Sequence, residues 1–256
     1  MEPRTVLVTG SAHGIGAATT ARLAAEGHRA IGLDLENAEI CADLANPSGR
    51  TAAIEQTLAH TSGGLSAIVA CAGIAGADPA AMVAVNYFGV VALFEALRGA
   101  LERAAEPRAV AVSSSAIILG HDLALVEACL AGEEDQARSI ARTCDARIVY
   151  ASTKVALSRW VRRTAIRGDW AGKGILLNAV APGTVLTRIT EPILATAQGR
   201  AMLAEATPIA VSAYAVPDDL APLLTFLAGP HCKYIVGQTI FADGGKDAIR
   251  RGDRLP

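Results

Sequence analysis

Short apolar runs alternate with longer stretches of helical periodicity along most of the chain. The apolar runs predict strands at residues 5–8, 30–33, 65–70, 109–112, 175–179 and 239–241. The periodic stretches predict helices at residues 15–26, 48–60, 79–104, 150–167 and 216–227. Strands that are apolar throughout and separated by helices are typical of a parallel sheet covered on both faces. We therefore expect a single α/β domain over residues 1–256, built on a doubly wound parallel sheet.

One segment interrupts this alternation. Residues 120–145 contain two helix-like pieces, 123–131 and 133–143, with Gly132 between them. Two helices joined by a short glycine turn predict an inserted helical hairpin. Residues 251–256 follow the last periodic stretch and are expected to be loose, as chain ends often are.

The chain is apolar enough that a membrane role has to be considered. Hydrophobic residues make up 52% of it and the mean hydropathy is +0.35. The most apolar stretch, residues 80–94, is about 15 residues long and contains Asn86 and Tyr87, so we expect it to be too short to span a bilayer. A strand pattern begins at Thr5 without a basic and then apolar leader, which predicts no signal peptide.

Charge and cysteine usage narrow the function classes further. The formal net charge of −2 gives no electrostatic footprint for nucleic acid. The five cysteines are scattered without metal-ligand spacing, so we expect no metal site. They are interpreted as buried apolar residues of a cytoplasmic protein.

Three glycines separate the first predicted strand from the first helix. Gly10, Gly14 and Gly16 lack a Cβ atom, which permits a tight turn and the close approach of a pyrophosphate to N–H groups at the helix start. Such a loop can also be an ordinary turn, but its place between a strand and a helix favours a dinucleotide.

Asp34 closes the second predicted strand, 18 residues beyond Gly16. A carboxylate at this point can accept hydrogen bonds from the adenosine ribose, and it would repel the 2′-phosphate of NADP. His13, rather than a lysine or arginine, precedes the second glycine. These residues favour NAD, although Asp34 could also be a simple turn residue.

Tyr150 and Lys154 are four residues apart in a predicted helix, so both side chains lie on one face. An ammonium beside a phenol favours the phenolate and lowers the phenol pKa, which makes the phenol an acid–base catalyst. The alternative is an amphipathic helix with a lysine that extends to solvent.

Together these motifs resemble the short-chain dehydrogenase/reductase family from Thr5 to Gly245. The shared marks are Thr9-Gly-x-x-x-Gly-x-Gly16, Asp43-Leu44, Ala72-Gly73, Asn86, Ser114, Tyr150-x-x-x-Lys154, Pro182-Gly183 and Asp243-Gly244-Gly245. The short sequence segments 85–89, 131–134 and 243–248 are most similar to those of the bacterial 3α-hydroxysteroid dehydrogenase/carbonyl reductase group. The resemblance implies a Rossmann-type fold. The usual Asn-Asn-Ala-Gly is Ala70-Cys71-Ala72-Gly73 here, which keeps the turn but removes polar side chains.

The resemblance also assigns roles. Ser114 would orient the substrate, Tyr150 would transfer the proton, Lys154 would lower the tyrosine pKa and hold the nicotinamide ribose, and Asn86 would hold a water for proton relay. Within Ser113–Ser115 the register is open, and we take the second serine because it follows the strand end by two residues. Asp43 and Leu44 would lie by the adenine. The expected cofactor-binding residues are Gly10, Ser11, His13, Gly14, Ile15, Gly16, Asp34, Leu35, Asp43, Leu44, Ala72, Gly73, Tyr150, Lys154, Pro182, Gly183, Thr184, Val185 and Thr187.

The expected activity is NAD-dependent interconversion of a bulky apolar cyclic secondary alcohol and its ketone. Residues 184–214 should form the substrate wall, which is made apolar by Ile189, Ile193, Leu194, Met202 and Leu203. A 3-hydroxysteroid is the first candidate and a cyclic monoterpenol, or another alicyclic or aryl alcohol, the second. A catalytically silent dinucleotide-binding regulator is the alternative of a different class, and an enoyl reductase of the family would have a longer tyrosine–lysine spacing.

No nucleic-acid or membrane partner is expected. The hairpin favours a homodimer, with a tetramer as the alternative.

Overall fold

Seven strands form one parallel sheet in the computed structural model, which describes residues 2–62, 64–76 and 78–254. They are β1 (Thr5–Thr9), β2 (Arg29–Asp34), β3 (Ile40–Cys41), β4 (Ala67–Ala70), β5 (Arg108–Val112), β6 (Leu176–Pro182) and β7 (Thr239–Ala242). Their order across the sheet is β3-β2-β1-β4-β5-β6-β7. The direction of winding reverses between β1 and β4, and such a reversal opens a crevice at the carboxyl ends of the strands.

Helices cover both faces of the sheet. The main ones are α1 (Gly14–Ala25), α2 (Pro47–His60), α3 (Pro79–Val83), α4 (Val90–Leu101), α7 (Ala146–Ala165) and α10 (Pro217–Ala228). On one face α1 and α10 pack against each other over a core that includes Val8 and Leu224. On the other face α2, α4 and α7 enclose a larger core that includes Phe94 and Trp160, whose rings stack. The predicted fold class is confirmed.

Some element boundaries differ from the sequence prediction. The helix α7 begins at Ala146 rather than Tyr150, because the Asp145 side chain accepts a hydrogen bond from the Arg147 N–H at 2.8 Å and caps it. The strand β6 continues to Pro182 instead of ending at 179. The edge strand β3 was not predicted, since two residues are too few to give a pattern.

The segment 120–145 forms the expected helical hairpin. Its helices are α5 (Leu123–Ala131) and α6 (Glu134–Ala141), and Gly132 joins them with a φ of +80°. The helix α5 packs against α7, and α6 packs against α3. The hairpin therefore covers the outer surfaces of the two helices that flank it in space.

The helical run Pro79–Leu101 is longer than the apolar stretch 80–94 on which the membrane expectation was based. It spans 23 residues, and its most apolar 18-residue window has a mean hydropathy of 1.8, so by length and composition alone it could cross a membrane. The expectation that this stretch is too short was wrong. However, 67% of its most apolar window is buried inside the fold, which is the behaviour of a core helix.

Two further regions differ from expectation. The segment 184–214 contains the short helices α8 (Glu191–Leu194) and α9 (Ala197–Ala206), which were not predicted. The chain end forms α11 (Lys246–Arg251), and the predicted loose tail starts at the last residue of this helix. Leu255 and Pro256, which belong to that tail, lie outside the described residues.

The cysteine prediction is right only in part. All five thiols are free, and Cys129 and Cys232 are buried as expected. Cys41 is exposed at the end of the edge strand β3, so the expectation of burial was wrong there. Within residues 2–62, 64–76 and 78–254, no group of three or more His, Cys, Asp or Glu side chains is placed to hold a metal ion.

Candidate active site

The predicted site residues come together at one edge of the sheet. Gly10 follows β1, Asp34 ends β2, Ser114 follows β5 and Gly183 follows β6. Parallel strands bring their carboxyl ends to the same edge, which is where ligands bind in open α/β sheets. The topology alone thus gathers residues that are far apart in the chain.

Tyr150 and Lys154 lie one turn apart on the buried side of α7. The Lys154 ammonium is 5.8 Å from the centre of the Tyr150 ring and donates a hydrogen bond to the Val112 carbonyl at 2.9 Å. Only 4% of Lys154 is exposed. The bond to the end of β5 fixes the lysine where the sheet meets the helix.

Burial dominates the electrostatics of this pair. It raises the pKa of Tyr150 above its ordinary value, and the hydrogen bond from Ser114 acts in the opposite direction. It lowers the pKa of Lys154 to about 8, while the charge of Cys71 in its thiolate form acts to raise it. The expected lowering of the tyrosine pKa by Lys154 is not found, because removal of the phenol from water outweighs the favourable contacts.

Three consecutive serines after β5 reach three different partners. The Ser113 hydroxyl is 2.8 Å from the Ser158 hydroxyl and donates to the Lys154 carbonyl at 3.2 Å. Ser114 accepts a hydrogen bond from the Ala116 N–H at 3.1 Å, and its hydroxyl acts to lower the pKa of Tyr150. The Ser115 hydroxyl accepts from the Lys246 ammonium at 3.2 Å. The second serine of the run is therefore the one placed beside the phenol.

Asn86 lies in a π-helical segment, Ala84–Gly89, that interrupts the long helix predicted over 79–104. Its carbonyl oxygen accepts from the Ile74 N–H at 2.8 Å, and its amide nitrogen donates to the Ile74 carbonyl at 2.9 Å. The same nitrogen donates to the Thr153 hydroxyl at 3.4 Å. Asn86 thus holds the turn after β4 against α7. A π-turn of this kind is often found at a functional site.

The glycine loop is shaped by backbone contacts that leave no room for side chains. Gly10 has a φ of +67°, and a Cβ atom there would lie 2.9 Å from the Ala72 backbone. A Cβ atom on Gly16 would collide with the Gly10 carbonyl oxygen. The helix α1 then begins without a side-chain cap at His13, so its first N–H groups remain available to an anion.

Asp34 faces this loop from the end of β2. One of its oxygens accepts from the Ala12 N–H at 2.9 Å and the other from the Leu35 N–H at 2.7 Å. Leu35 itself is 65% exposed. The carboxylate is therefore held beside the glycine loop, at the place where a ribose of a bound dinucleotide is expected.

The remaining residues expected to bind the cofactor are placed less uniformly. Asp43 is exposed and bonds locally to Asn46, whereas the Leu44 side chain is buried in the core. Thr187 lies against Gly14, since a Cβ atom on that glycine would be 3.3 Å from its methyl group. Thr184 instead donates to the Thr207 hydroxyl at 3.0 Å, and Val185 is buried. The structure brings Thr187, rather than Thr184, to the glycine loop.

Two cavities border this edge of the sheet. The larger, of about 610 Å³, is lined by Leu186, Thr187, Arg188, Thr190, Glu191, Leu194 and Ala195. The smaller, of about 330 Å³, lies along Gly183, Thr184 and the segment 211–215. Of the five residues expected in the apolar wall, Ile189 and Met202 are about half exposed and Leu203 is buried. Arg188 and Glu191 add charge to a wall that was expected to be apolar.

Sequence reasoning missed Arg50 and Lys246, two buried cations near the site. Arg50 donates to the Leu44 carbonyl at 2.8 Å and to the Ala84 carbonyl at 3.3 Å. Lys246 holds the last of the three serines after β5. Arg50 belongs to no recognisable motif. Lys246 lies in the segment 243–248 that carries part of the resemblance, but no role could be assigned to it because Ser115 is 131 positions away.

Known proteins match nearly the whole length of this chain. A family model described as short chain dehydrogenase matches residues 4–123, and one described as Enoyl-(Acyl carrier protein) reductase matches residues 137–247. The 3-alpha-hydroxysteroid dehydrogenase/carbonyl reductase of Comamonas testosteroni is 36% identical over 253 residues, which cover 96% of this chain and 97% of that protein.

Solved structures agree with this relationship. The 3-alpha-hydroxysteroid dehydrogenase of Pseudomonas sp. B-0831, solved with NADH, has a TM-score of 0.93 and 38% identity, and the match covers 98% of this chain and 100% of that one. Aldohexose dehydrogenase of Thermoplasma acidophilum has a TM-score of 0.76 at 22% identity, with 100% and 98% of the two chains covered, and shares the fold. The chain belongs to the short-chain dehydrogenase/reductase family.

Proposed function

We propose that this protein is an NAD-dependent oxidoreductase that interconverts a bulky cyclic secondary alcohol and its ketone. The observation that carries the proposal is the arrangement of Ser114, Tyr150 and Lys154 at the carboxyl edge of the sheet. A hydroxyl beside a buried phenol, with an ammonium one turn away, can position an alcohol oxygen and move its proton.

The glycine loop and Asp34 fit NAD. The uncapped start of α1 offers N–H donors to a pyrophosphate, and Asp34 offers a carboxylate to the ribose. When bound, NAD accepts or returns a hydride. A 2′-phosphate would meet the negative charge of Asp34. The relative solved with NADH supports the same choice.

Each side chain then has a defined task. Ser114 donates a hydrogen bond to the substrate oxygen and keeps it next to the phenol. Tyr150 takes the alcohol proton during oxidation and returns it during reduction. Lys154 holds the nicotinamide ribose, and its positive charge favours the phenolate against the burial that raises the pKa of Tyr150. Asn86 fixes the turn at Ile74 beside Lys154, and the remaining lone pair of its carbonyl oxygen can hold a water for proton relay.

A 3-hydroxysteroid is the first candidate substrate and a cyclic monoterpenol, or another alicyclic or aryl alcohol, the second. The cavity of about 610 Å³ has room for a multi-ring alcohol, and Leu186 and Leu194 line it. It lies within the expected substrate wall, and Ser114, Tyr150 and Lys154 are not among its lining residues. Burial of apolar surface contributes roughly 25 cal/mol per Å², so a large rigid alcohol gains several kcal/mol over a short one. The two hydroxysteroid dehydrogenases among the relatives support the steroid.

NADH formation across a panel of steroid, monoterpene, aryl and short linear secondary alcohols tests the proposal. We expect the fused-ring and bicyclic alcohols to exceed 2-propanol, mainly through a lower KM. Faster oxidation of small linear or acyl-carrier-linked hydroxy compounds would contradict the proposed substrate class. Binding of NADH without any turnover would instead support a catalytically silent regulator. That rival is disfavoured because Tyr150, Lys154, Ser114 and Asn86 are all present.

The cysteines and the inserted hairpin bear on the cellular location and the oligomeric state of the enzyme. Five free thiols are consistent with a reducing cytoplasm, and we propose that location. We also propose a homodimer, because the hairpin packs on α7 and α3, and the family resemblance implies that the helices over 79–104 and 150–167 pair between subunits.

A further inference from the structure

Lys246 is a buried cation without an ion pair. It is the first residue of α11 and is 2% exposed. Among the described residues no carboxylate lies within ion-pair distance of its ammonium, and its hydrogen bond goes to the Ser115 hydroxyl at 3.2 Å. The nearby Asp243 carboxylate accepts instead from the Gly245 and Asp247 N–H groups. Burial of an unpaired ammonium is costly, so stability does not account for this residue.

The charges around the ammonium do not remove that cost. Burial lowers the pKa of Lys246, the Asp243 carboxylate acts to raise it, and the positive charge of Arg250 acts to lower it further. The two neighbouring charges therefore oppose each other. A neutral side chain of similar length would avoid the penalty altogether.

A short series of contacts leads from Lys246 to the phenol. The ammonium holds Ser115, which begins the 3₁₀ turn Ser115–Ile118. Ser114 precedes this turn and caps it by accepting from the Ala116 N–H, and its hydroxyl lies close enough to Tyr150 to act on the pKa of the phenol, which it lowers. The backbone of Ser114 is thus fixed on one side by β5 and on the other by the residue that Lys246 holds.

We infer that Lys246 is a positioning residue for the reaction, which through Ser115 keeps the Ser114 hydroxyl directed at Tyr150 and the substrate oxygen. The inference rests on the proposed function. Lys246 then affects the chemical step, because the turn that it holds sets the position of the Ser114 hydroxyl relative to Tyr150. It leaves cofactor affinity alone, since the glycine loop and Asp34 lie at the ends of other strands.

Lys246→Met separates this role from a structural one. We expect kcat for alcohol oxidation to fall about tenfold, as a small misplacement of a catalytic group can do. The KM for NAD should stay within about twofold, and the melting temperature should be unchanged or higher, because an unpaired buried charge has been replaced by an apolar chain. The exposed Lys233 provides the matched control, and Lys233→Met should change none of these values.

Ser115→Ala provides the second arm, since it removes the acceptor and keeps the cation. The kcat losses of Lys246→Met and Ser115→Ala should not multiply in the double variant, because both act through one hydrogen bond. Three results would each overturn the inference. The first is a double variant in which the two kcat losses multiply, and the second is an unchanged kcat in Lys246→Met. The third is a lower melting temperature of Lys246→Met with an equal loss of cofactor binding. If the unaltered enzyme oxidises no alcohol, the proposed function fails and this inference falls with it. An active enzyme with an unaffected Lys246→Met variant refutes the inference alone.

Discussion

Arg50 and Glu134 form a two-point ion pair that joins the inserted hairpin to α2, with nitrogen–oxygen distances of 2.6 and 2.8 Å. The same guanidinium donates to the carbonyls of Leu44 and Ala84. Leu44 lies at the expected adenine end of the cofactor site, and Ala84 begins the π-helical segment that carries Asn86. Through Arg50, the hairpin is therefore connected to residues at the candidate active site as well as to α2.

We predict that Glu134→Gln lowers the free energy of unfolding by about 2–3 kcal/mol. Removal of one partner from a buried pair leaves an uncompensated charge and costs about 3–5 kcal/mol. The Glu134 side chain is 21% exposed, so the loss should be somewhat smaller. Urea denaturation measures it. The exposed pair Arg159–Glu127 is the control, and Glu127→Gln should cost under about 1 kcal/mol. Equal effects in both variants would contradict the prediction.

Tyr150→Phe should remove most turnover and leave NADH binding nearly intact. The hydroxyl serves proton transfer, which contributes about 10²–10⁴-fold to the rate. Lys154→Ala should also remove most turnover, but with weaker cofactor binding. Steady-state rates and NADH fluorescence titration distinguish the two variants. Tyr234→Phe, at a fully exposed tyrosine, should behave like the unaltered enzyme. Comparable turnover in Tyr150→Phe would refute the mechanism.

The stability difference between Lys154→Met and the unaltered protein should depend on pH. The pKa of Lys154 is about 8 in the folded state, whereas the ordinary value for a lysine in water is 10.5. Between these values the unfolded chain binds more protons, so the unaltered protein gains stability as pH rises. The buried charge costs most below pH 8 and nothing above 10.5. The methionine variant should thus gain most near neutral pH, by an amount on the order of 3 kcal/mol that disappears as the solution becomes strongly alkaline.

Denaturation of both proteins at pH values of about 7 and about 9.5, on either side of the folded-state pKa, checks this difference. Other groups that titrate in the alkaline range are present in both proteins and cancel in the comparison. Lys233→Met should show a constant difference from the unaltered protein across the same range. A constant difference for Lys154→Met as well would mean that Lys154 keeps an ordinary pKa in the folded state.

Asp34 should set the choice between NAD and NADP through its charge. We expect NAD to be preferred by a large factor in kcat/KM, and Asp34→Ala to narrow the gap because the repulsion of the 2′-phosphate is removed. Glu55→Ala removes an exposed carboxylate on α2 and should leave the ratio unchanged. A preference for NADP in the unaltered enzyme would reverse the assignment.

The inserted hairpin should limit how subunits of this protein pair. Because α5 packs on α7 and α6 on α3, the surfaces of these helices are already covered within one chain. Light scattering should therefore show a dimer. A tetramer would mean that the hairpin does not prevent further pairing.

The sequence by itself determined the glycine loop, the spacing of Tyr150 and Lys154, and the sheet apart from its edge strand β3. These features depend on local signals: apolar runs, a glycine loop between a strand and a helix, and a spacing of one helical turn. The chemistry proposed for these residues was inferred from residue type and spacing alone. The inserted hairpin could also be placed, because Gly132 separates two periodic stretches.

Only the tertiary structure decided the features that depend on distant contacts. The separate partners of Ser113, Ser114 and Ser115 were not visible in a run of identical residues. Arg50 gave no signal, because Glu134 is 84 positions away. Lys246 was noted only as part of the segment 243–248, and its contact with Ser115 spans 131 positions. The pKa of Tyr150 was expected to fall and instead rises, because burial is a property of the packed site rather than of a four-residue spacing.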